Sequence, residues 1–178
     1  MAKLRKFVAY RSIERPYTRK SKYRAKNFIR AFPNIKIVRF EHGDKKKNYD
    51  LHFTLNSKEE LQIRHQALES TRMTVNRHLE KTLGKNQYFF RIRLFPHHVL
   101  RENPLASGAG ADRMSTGMKK SFGKPIGAAA RVRVNQIVCD VYVTKTHGSK
   151  VRVALNRAAR KLPGSYLIVE EPHSGHVI

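Results

Sequence analysis

The sequence predicts an α+β fold in which two helices pack on a mainly antiparallel sheet, with a basic N-terminal arm and a long glycine-rich loop. Three observations support this. Several short runs alternate apolar and polar residues, two longer runs place apolar residues at helical spacing, and one stretch does neither. A chain of 178 residues is long enough for one domain with a real core. We divide it into an arm (1–34), a domain (35–170) that contains the loop (101–130), and a tail (171–178).

The charge balance indicates a polyanionic partner. Lys and Arg number 37 against 13 Asp and Glu, which gives a net charge of +24 and a pI of about 10.7. No apolar stretch approaches the roughly 18 residues of a membrane-spanning helix, so we expect no membrane contact. The single cysteine, Cys139, excludes an internal disulfide and agrees with a reducing compartment. The N-terminus lacks the features of a secretory signal, so we expect a cytoplasmic protein.

The first 34 residues combine cations with aromatic rings. Rings can stack on bases while neighbouring Lys and Arg side chains meet phosphates, so we interpret this segment as an arm that orders on RNA. The alternative is a solvated tail without fixed contacts. The RNA-binding candidates in the arm are Arg5, Lys6, Arg11, Arg15, Tyr17, Arg19, Lys20, Lys22 and Arg24.

A pair of strands and a helix are predicted next. The β-rich run 35–41 and the alternating run 51–55 predict an antiparallel pair. The helix is predicted to begin at Ser57, where Glu60 completes a capping box, and to end near Gly84.

Four arginines lie on this helix and on the strand that follows it. Arg64 and Arg72 fall on or beside the apolar side of the helix, so each needs a partner, either a carboxylate or an rRNA phosphate. The alternating run 88–94 predicts a strand with an apolar core face and a basic face, on which Arg91 and Arg93 lie. We count Arg64, Arg91 and Arg93 among the RNA-binding candidates.

No cofactor, metal site or catalytic site is predicted. His97 and His98 are adjacent, so on an extended chain they point to opposite faces, and no cluster of Cys or carboxylates supports a metal. Five residues separate Gly117 from Gly123 where a phosphate-binding P-loop has four, and Pro125 occupies the magnesium-binding position. The glycines of GAGADR are not followed by a helical apolar stripe, as a dinucleotide site requires.

The long loop between the two halves of the domain carries glycines and cations. Small residues permit close approach of the backbone to another surface, and cations suit a surface made of phosphate, so we interpret it as a ligand-contacting loop. A mobile tip with incidental charge is the alternative.

The C-terminal part repeats the order hairpin, helix, strand. Alternation over 132–143 predicts a hairpin that turns near Asn135 and Gln136. A second helix is predicted from Ser149 to about Leu162, because Pro and Gly follow it. The segment SYLIVE predicts the last strand.

Long motifs in the chain closely resemble the family of large-subunit ribosomal protein sixteen of the universal naming, in its archaeal and eukaryotic ten-e form. The matching segments are RPYTRK (15–20), LQIRHQALES (61–70), HHVLREN (97–103), GAGADRMSTGM (108–118), FGKPIG (122–127) and ALNRAARKLP (154–163).

This resemblance implies a structural constituent of the large ribosomal subunit without catalytic activity, which supports translation and late subunit assembly. It implies contact with large-subunit rRNA beside the A-site tRNA, with P-site tRNA as a second candidate, and with neighbouring ribosomal proteins rather than with a second copy. The loop is then directed toward the peptidyl-transferase centre. Its candidate contact residues are Arg101, Asn103, Gly108, Gly110, Arg113, Lys119, Lys120 and Lys124.

Two other classes of function predict different behaviour. An RNA-modifying enzyme requires a cofactor or an acid/base constellation, and the sequence shows neither. An architectural DNA-binding protein predicts comparable affinity for duplex DNA and no stoichiometric association with ribosomes.

Overall fold

Two antiparallel sheets and two α-helices form the fold in this computed structural model, which describes residues 6–13, 23–29, 31–102, 123–175 and 177. The strands are β1 (Glu41–Gly43), β2 (Tyr49–Ser57), β3 (Leu61–Arg64), β4 (Tyr88–Ile92), β5 (His98–Glu102), β6 (Lys124–Val132), β7 (Ile137–Val143) and β8 (Tyr166–Gly175). The helices are α1 (His65–Leu83) and α2 (Gly148–Ala159). The predicted α+β class is confirmed.

Strand pairing divides the eight strands between a large and a small sheet. The large sheet has the order β1-β4-β7-β2-β8, and the small sheet has the order β3-β6-β5. All these pairings are antiparallel. The two helices pack on each other and on one face of the large sheet.

The main core follows from the alternation of side chains in the strands. In β2, Phe53 and Leu55 are buried against the helices, whereas His52 points to the opposite face of the sheet. Helix α1 contributes residues at helical spacing, including Leu68 and Val75, to the same core. The small sheet extends this core with one face of β3 and β6.

Helix α1 begins at His65 rather than at Ser57, so the predicted start is wrong. Ser57 lies in β2, and its hydroxyl donates to the carbonyl oxygen of Glu59 at 2.8 Å instead of capping a helix. Directly before the helix, Leu61–Arg64 form β3, because a short apolar run fits both periods and pairing with β6 selects the strand. The predicted end is confirmed: Gly84 has φ 93°, and its N–H donates to the carbonyl of Glu80.

Both predicted hairpins are wrong in their pairing. The run 35–41 ends in β1, which pairs with β4, while β2 pairs with β7 and β8. Strands β6 and β7 lie in different sheets: Val132 pairs with Leu61, whereas Cys139 pairs with Leu55. Between them Asn135 has φ 61°, a conformation that Asn tolerates better than most residues. Local alternation specifies a strand but not its partner.

Regular structure extends into both ends of the predicted loop and into the predicted tail. Strand β5 includes Arg101, and β6 begins at Lys124, so the loop 101–130 was predicted too long. The small residues Ala128–Ala130 are buried between β3 and β5, where the backbones approach closely. Strand β8 continues to Gly175, so most of the predicted tail is strand. The second helix and the last strand are confirmed, with α2 ending at Ala159.

Candidate nucleic-acid interface

One face of the small sheet turns away from the core and carries polar and cationic side chains. Pairing places Gln62 opposite Arg131 and Arg64 opposite Ala129, and His98 lies opposite Ala129 on the other side. The alternate residues of β3 and β6 are buried in the core. We call the surface formed by these five residues the outer face.

Residues 6–13 of the predicted arm are held on the outer face. The backbone N–H of Gln62 donates to the carbonyl of Arg11 at 3.1 Å, so this segment lies along the edge of β3. The Gln62 side-chain amide donates to the carbonyls of Tyr10 at 3.2 Å and Ser12 at 2.8 Å. This part of the arm therefore has hydrogen-bonding partners in the folded domain, and the ordering of the arm on RNA stays a prediction.

Arg64 lies beneath the aromatic rings of this segment. Its guanidinium carbon is 5.3 Å from the centre of the Phe7 ring and 4.8 Å from that of the Tyr10 ring. Burial lowers the pKa of Arg64, while Tyr10 and Glu102 oppose that shift. The cation remains ionised at neutral pH, and the rings supply part of its stabilisation.

Exposed cations surround this contact. Lys6 and Arg11 are exposed, and Arg11 also forms an ion pair of 2.8 Å with Glu59. The hydrogen bonds from Ser165 and Arg11 lower the pKa of Glu59, so this carboxylate is ionised and keeps the segment close to the end of β2.

Strands β5 and β6 form a hairpin, and the glycine-rich loop is the segment that connects them. Glu102 pairs with Lys124, so the two ends of the loop are neighbours in the small sheet. Lys124 is exposed, whereas Arg101 is half-buried, and burial lowers its pKa. Burial, together with the charges of Arg131 and Arg101, lowers the pKa of His98 to about 4. His98 is therefore neutral at physiological pH.

Arg91 and Arg93 lie on the large sheet and are engaged by a buried carboxylate. The carboxylate of Asp140 is fully buried, accepts a hydrogen bond from Nε of Arg93, and lies 3.7 Å from a guanidinium nitrogen of Arg91. His52 Nε2 is 3.4 Å from its other oxygen, which is long for a hydrogen bond. Burial alone would raise the pKa of Asp140, but its contacts with His52 and Arg93 lower it. The basic face predicted for β4 is thus partly neutralised within the protein.

The partner of Arg72 is a carboxylate, one of the two predicted alternatives. Its guanidinium donates two hydrogen bonds to Glu69, at 2.8 and 2.6 Å, and lies 3.0 Å from Nε2 of His42.

The remaining predicted site residues are not described by the structure. They are Arg5, Arg15, Tyr17, Arg19, Lys20, Lys22, Asn103, Gly108, Gly110, Arg113, Lys119 and Lys120, together with the side chain of Arg24. They lie in segments that adjoin residues 6–13 or that connect β5 to β6.

The described residues contain no group of three or more His, Cys, Asp or Glu side chains that could hold a metal ion. His97 is exposed and packs on the Phe95 ring, 4.6 Å between centres, while His98 lies on the outer face. Neither described helix is long and apolar enough to cross a membrane.

The sequence analysis missed two residues: Gln62, which binds residues 6–13 to the outer face, and Asp140, which pairs with Arg91 and Arg93 on the large sheet. Both are polar residues inside runs of apolar alternation. A polar side chain at such a position is buried only with partners. That signal was present in the sequence, but the partners are distant in the chain.

Comparison with known proteins gives consistent matches. A family model described as ribosomal protein L16p/L10e matches residues 14–169. Large ribosomal subunit protein uL16 of Staphylothermus marinus is 47% identical over 157 residues, which cover 88% of this chain and 87% of that protein. The uL16 protein of Archaeoglobus fulgidus is 40% identical over 165 residues, covering 92% and 91%. The uL16 protein of Methanococcus aeolicus is 43% identical over 167 residues, covering 93% of each.

Proposed function

Because the chain belongs to the ribosomal protein L16p/L10e family, we propose that it binds large-subunit rRNA through the outer face and the two basic segments that adjoin it. The protein is a structural component of the cytoplasmic large ribosomal subunit, with rRNA and ribosomal proteins as partners, and is not an enzyme.

The observation that carries this proposal is the convergence of the arm and the loop on one small sheet. Residues 6–13 lie along β3. Glu102 at the end of β5 pairs with Lys124 at the start of β6, so the two ends of the loop are adjacent in the small sheet. Phosphate contacts provide affinity roughly in proportion to their number, so cations gathered on one side of a domain bind RNA better than dispersed ones.

We further propose that residues 6–13 orient the rest of the arm (1–34) toward rRNA, while 35–170 forms the folded unit. The loop is directed toward the peptidyl-transferase centre, beside the A-site tRNA and within reach of the P-site tRNA. Its glycines permit close backbone approach, and its cations suit phosphate. The protein acts as one copy per subunit, and a correctly seated loop supports late subunit assembly.

Salt-dependent binding to deproteinised large-subunit rRNA tests the interface. Replacing Lys124 with Ala should reduce the slope of log affinity against log salt by about one, because one phosphate contact is lost. Replacing Arg152 with Ala is the matched control, since this exposed cation lies on α2, outside the outer face and its adjoining segments, and pairs with Glu170. Equal changes in slope for the two variants would count against the loop end beside the outer face as part of the interface.

The role of the loop is tested separately in cells. Replacing Arg113, or Lys119 and Lys120 together, with Ala should leave the purified protein folded but impair subunit maturation or tRNA accommodation. Wild-type polysome profiles in these variants would contradict this role.

A further inference from the structure

Strand β8 forms one edge of the large sheet, and no other strand among the described residues pairs with its outer side. It has ten residues, whereas β1, at the opposite edge of this sheet, has three. In the small sheet, residues 6–13 lie along the edge of β3, where the carbonyl of Arg11 accepts a hydrogen bond from the N–H of Gln62. A long edge with unpaired backbone groups is a template for a further strand. We call the outer side of β8 the open edge.

The pairing of β8 with β2 shows which backbone groups face the open edge. The N–H of Ser57 donates to the carbonyl of Gln136, beside β7, so Ser57 and every second residue of β2 point their backbone groups away from β8. The residues opposite them in β8 point theirs outward. Pro172, which has no N–H, lies at one of these positions, as proline does on edge strands. The others are Tyr166, Ile168 and Glu170.

The side chains along the open edge are apolar and acidic. Leu167, which is 48% exposed, and the half-buried Val169 lie on the face of the sheet opposite the helices. Glu171 follows on the same face, and its side chain is 60% exposed. Glu170 lies on the helix face, where it pairs with Arg152 of α2. Two adjacent acids thus stand at this edge of a chain that has 37 basic and 13 acidic residues.

We propose that an extended, basic segment of a neighbouring ribosomal protein adds a strand to the open edge in the large subunit. Its backbone pairs with that of Ile168 and Glu170. Its side chains alternate between the two faces, so an apolar one packs on Leu167 and Val169, and a Lys or Arg further along meets Glu171.

The chemistry of the open edge favours a protein strand over RNA. The acids repel a phosphate backbone and attract a cationic peptide. A polypeptide also supplies the N–H and carbonyl groups, at the spacing of a strand, that complete a sheet, and a nucleic acid does not. The inference goes beyond rRNA binding and does not depend on it.

Carbodiimide cross-linking of purified large subunits, followed by mass spectrometry, identifies the occupant. This reagent joins a carboxylate to an amine only where the two groups are in contact. We expect Glu171 to be linked to a lysine of another ribosomal protein, in a segment that alternates apolar and polar residues. Glu80, an exposed acid on α1, is the internal control and should not be linked to that segment.

Hydrogen exchange tests the backbone pairing. The amide of Ile168 should exchange more slowly in the large subunit than in the free protein, because its N–H gains an acceptor. Glu170→Pro removes the next outward N–H, whereas Glu170→Ala removes the same carboxylate but keeps that N–H. In the subunit, protection of the Ile168 amide should be about threefold to tenfold lower in Glu170→Pro than in Glu170→Ala, since one hydrogen bond is lost.

Urea unfolding of the free variants checks that both are folded. If Glu170→Pro does not fold, the cross-link and the exchange of the wild-type protein still decide the inference.

The inference is overturned if Ile168 exchanges equally fast in the subunit and in the free protein, or if Glu171 is linked to no other ribosomal protein. Ultraviolet cross-linking of β8 to rRNA would also overturn it. So would a free protein that sediments as a dimer with a protected Ile168 amide, because a second copy would then occupy the open edge. Binding of rRNA by the outer face is tested separately by the salt dependence of Lys124→Ala.

Discussion

Replacing Asp140 with Asn should destabilise the large sheet by about 2 to 3 kcal/mol. Removing one partner of a fully buried ion pair costs roughly 3 to 5 kcal/mol. The Asp140 side chain is fully buried, but those of Arg91 and Arg93 are 19% and 43% exposed, so both cations can recover part of their hydration. Glu41, at 3.9 Å from Arg91, offers that arginine a second, exposed carboxylate. The expected cost therefore lies below the range for complete burial.

Urea unfolding at neutral pH measures this change directly. For a domain of this size, about 2 to 3 kcal/mol corresponds to a fall in melting temperature of roughly 4 to 12 °C. Glu171→Gln is the matched control, because its carboxylate is on the same face, 3.8 Å from His52, but 60% exposed. We expect that variant to change stability by less than about 0.5 kcal/mol. An Asp140→Asn variant as stable as wild type would refute the view that this carboxylate holds the two arginines.

Three further substitutions test local features of the fold. Gln62→Leu should lower the free energy of unfolding by about 1 to 2 kcal/mol and make residues 6–13 more sensitive to limited proteolysis, because the carbonyls of Tyr10 and Ser12 lose the hydrogen bonds from the Gln62 side chain. Unchanged protection from the protease would show that other contacts hold this segment. Gly43→Ala should lower stability by more than about 2 kcal/mol in thermal unfolding, since its Cβ would lie 1.9 Å from the Tyr88 carbonyl oxygen; a neutral effect would contradict that packing. His98 binds a proton near pH 6.5 in the unfolded state but only near pH 4 in the folded state, so the free energy of unfolding should fall by up to about 3 kcal/mol as the pH drops through this window. His98→Gln should make the free energy of unfolding less dependent on pH in this window. The same pH dependence in His98→Gln and wild type would exclude His98 as the cause.

The elements of the fold were largely predictable from the sequence, whereas their partners were not. Helical spacing and Gly84 identified the body and the end of α1, and alternation identified β2, β4 and β7. The strand β3 was missed because four residues before a helix carry too little periodic signal, and its identity depends on pairing with β6. The same limit explains the two wrong hairpins, since the alternation of apolar and polar residues in a strand does not determine which other strand it pairs with.

The site was predictable in its chemistry but only partly in its geometry. Composition indicated a polyanionic partner, aromatic residues among cations pointed to the arm, and glycines among cations pointed to the loop. The sequence could not show that Asp140 engages Arg91 and Arg93, because those residues are brought together only by the pairing of β4 with β7. Nor could it show that Gln62 fixes the start of the arm, which depends on contacts about 50 residues apart in the chain.

Ultraviolet cross-linking of purified large subunits, followed by mass spectrometry of nucleotide-modified peptides, tests the central claim most directly. If the outer face and its two adjoining segments bind rRNA, modified peptides should come from residues 1–34, from β3 and from the β5–β6 hairpin with its loop. Modification confined to peptides of β4, β7 and β8, with none from the small sheet or the arm, would contradict the proposed interface.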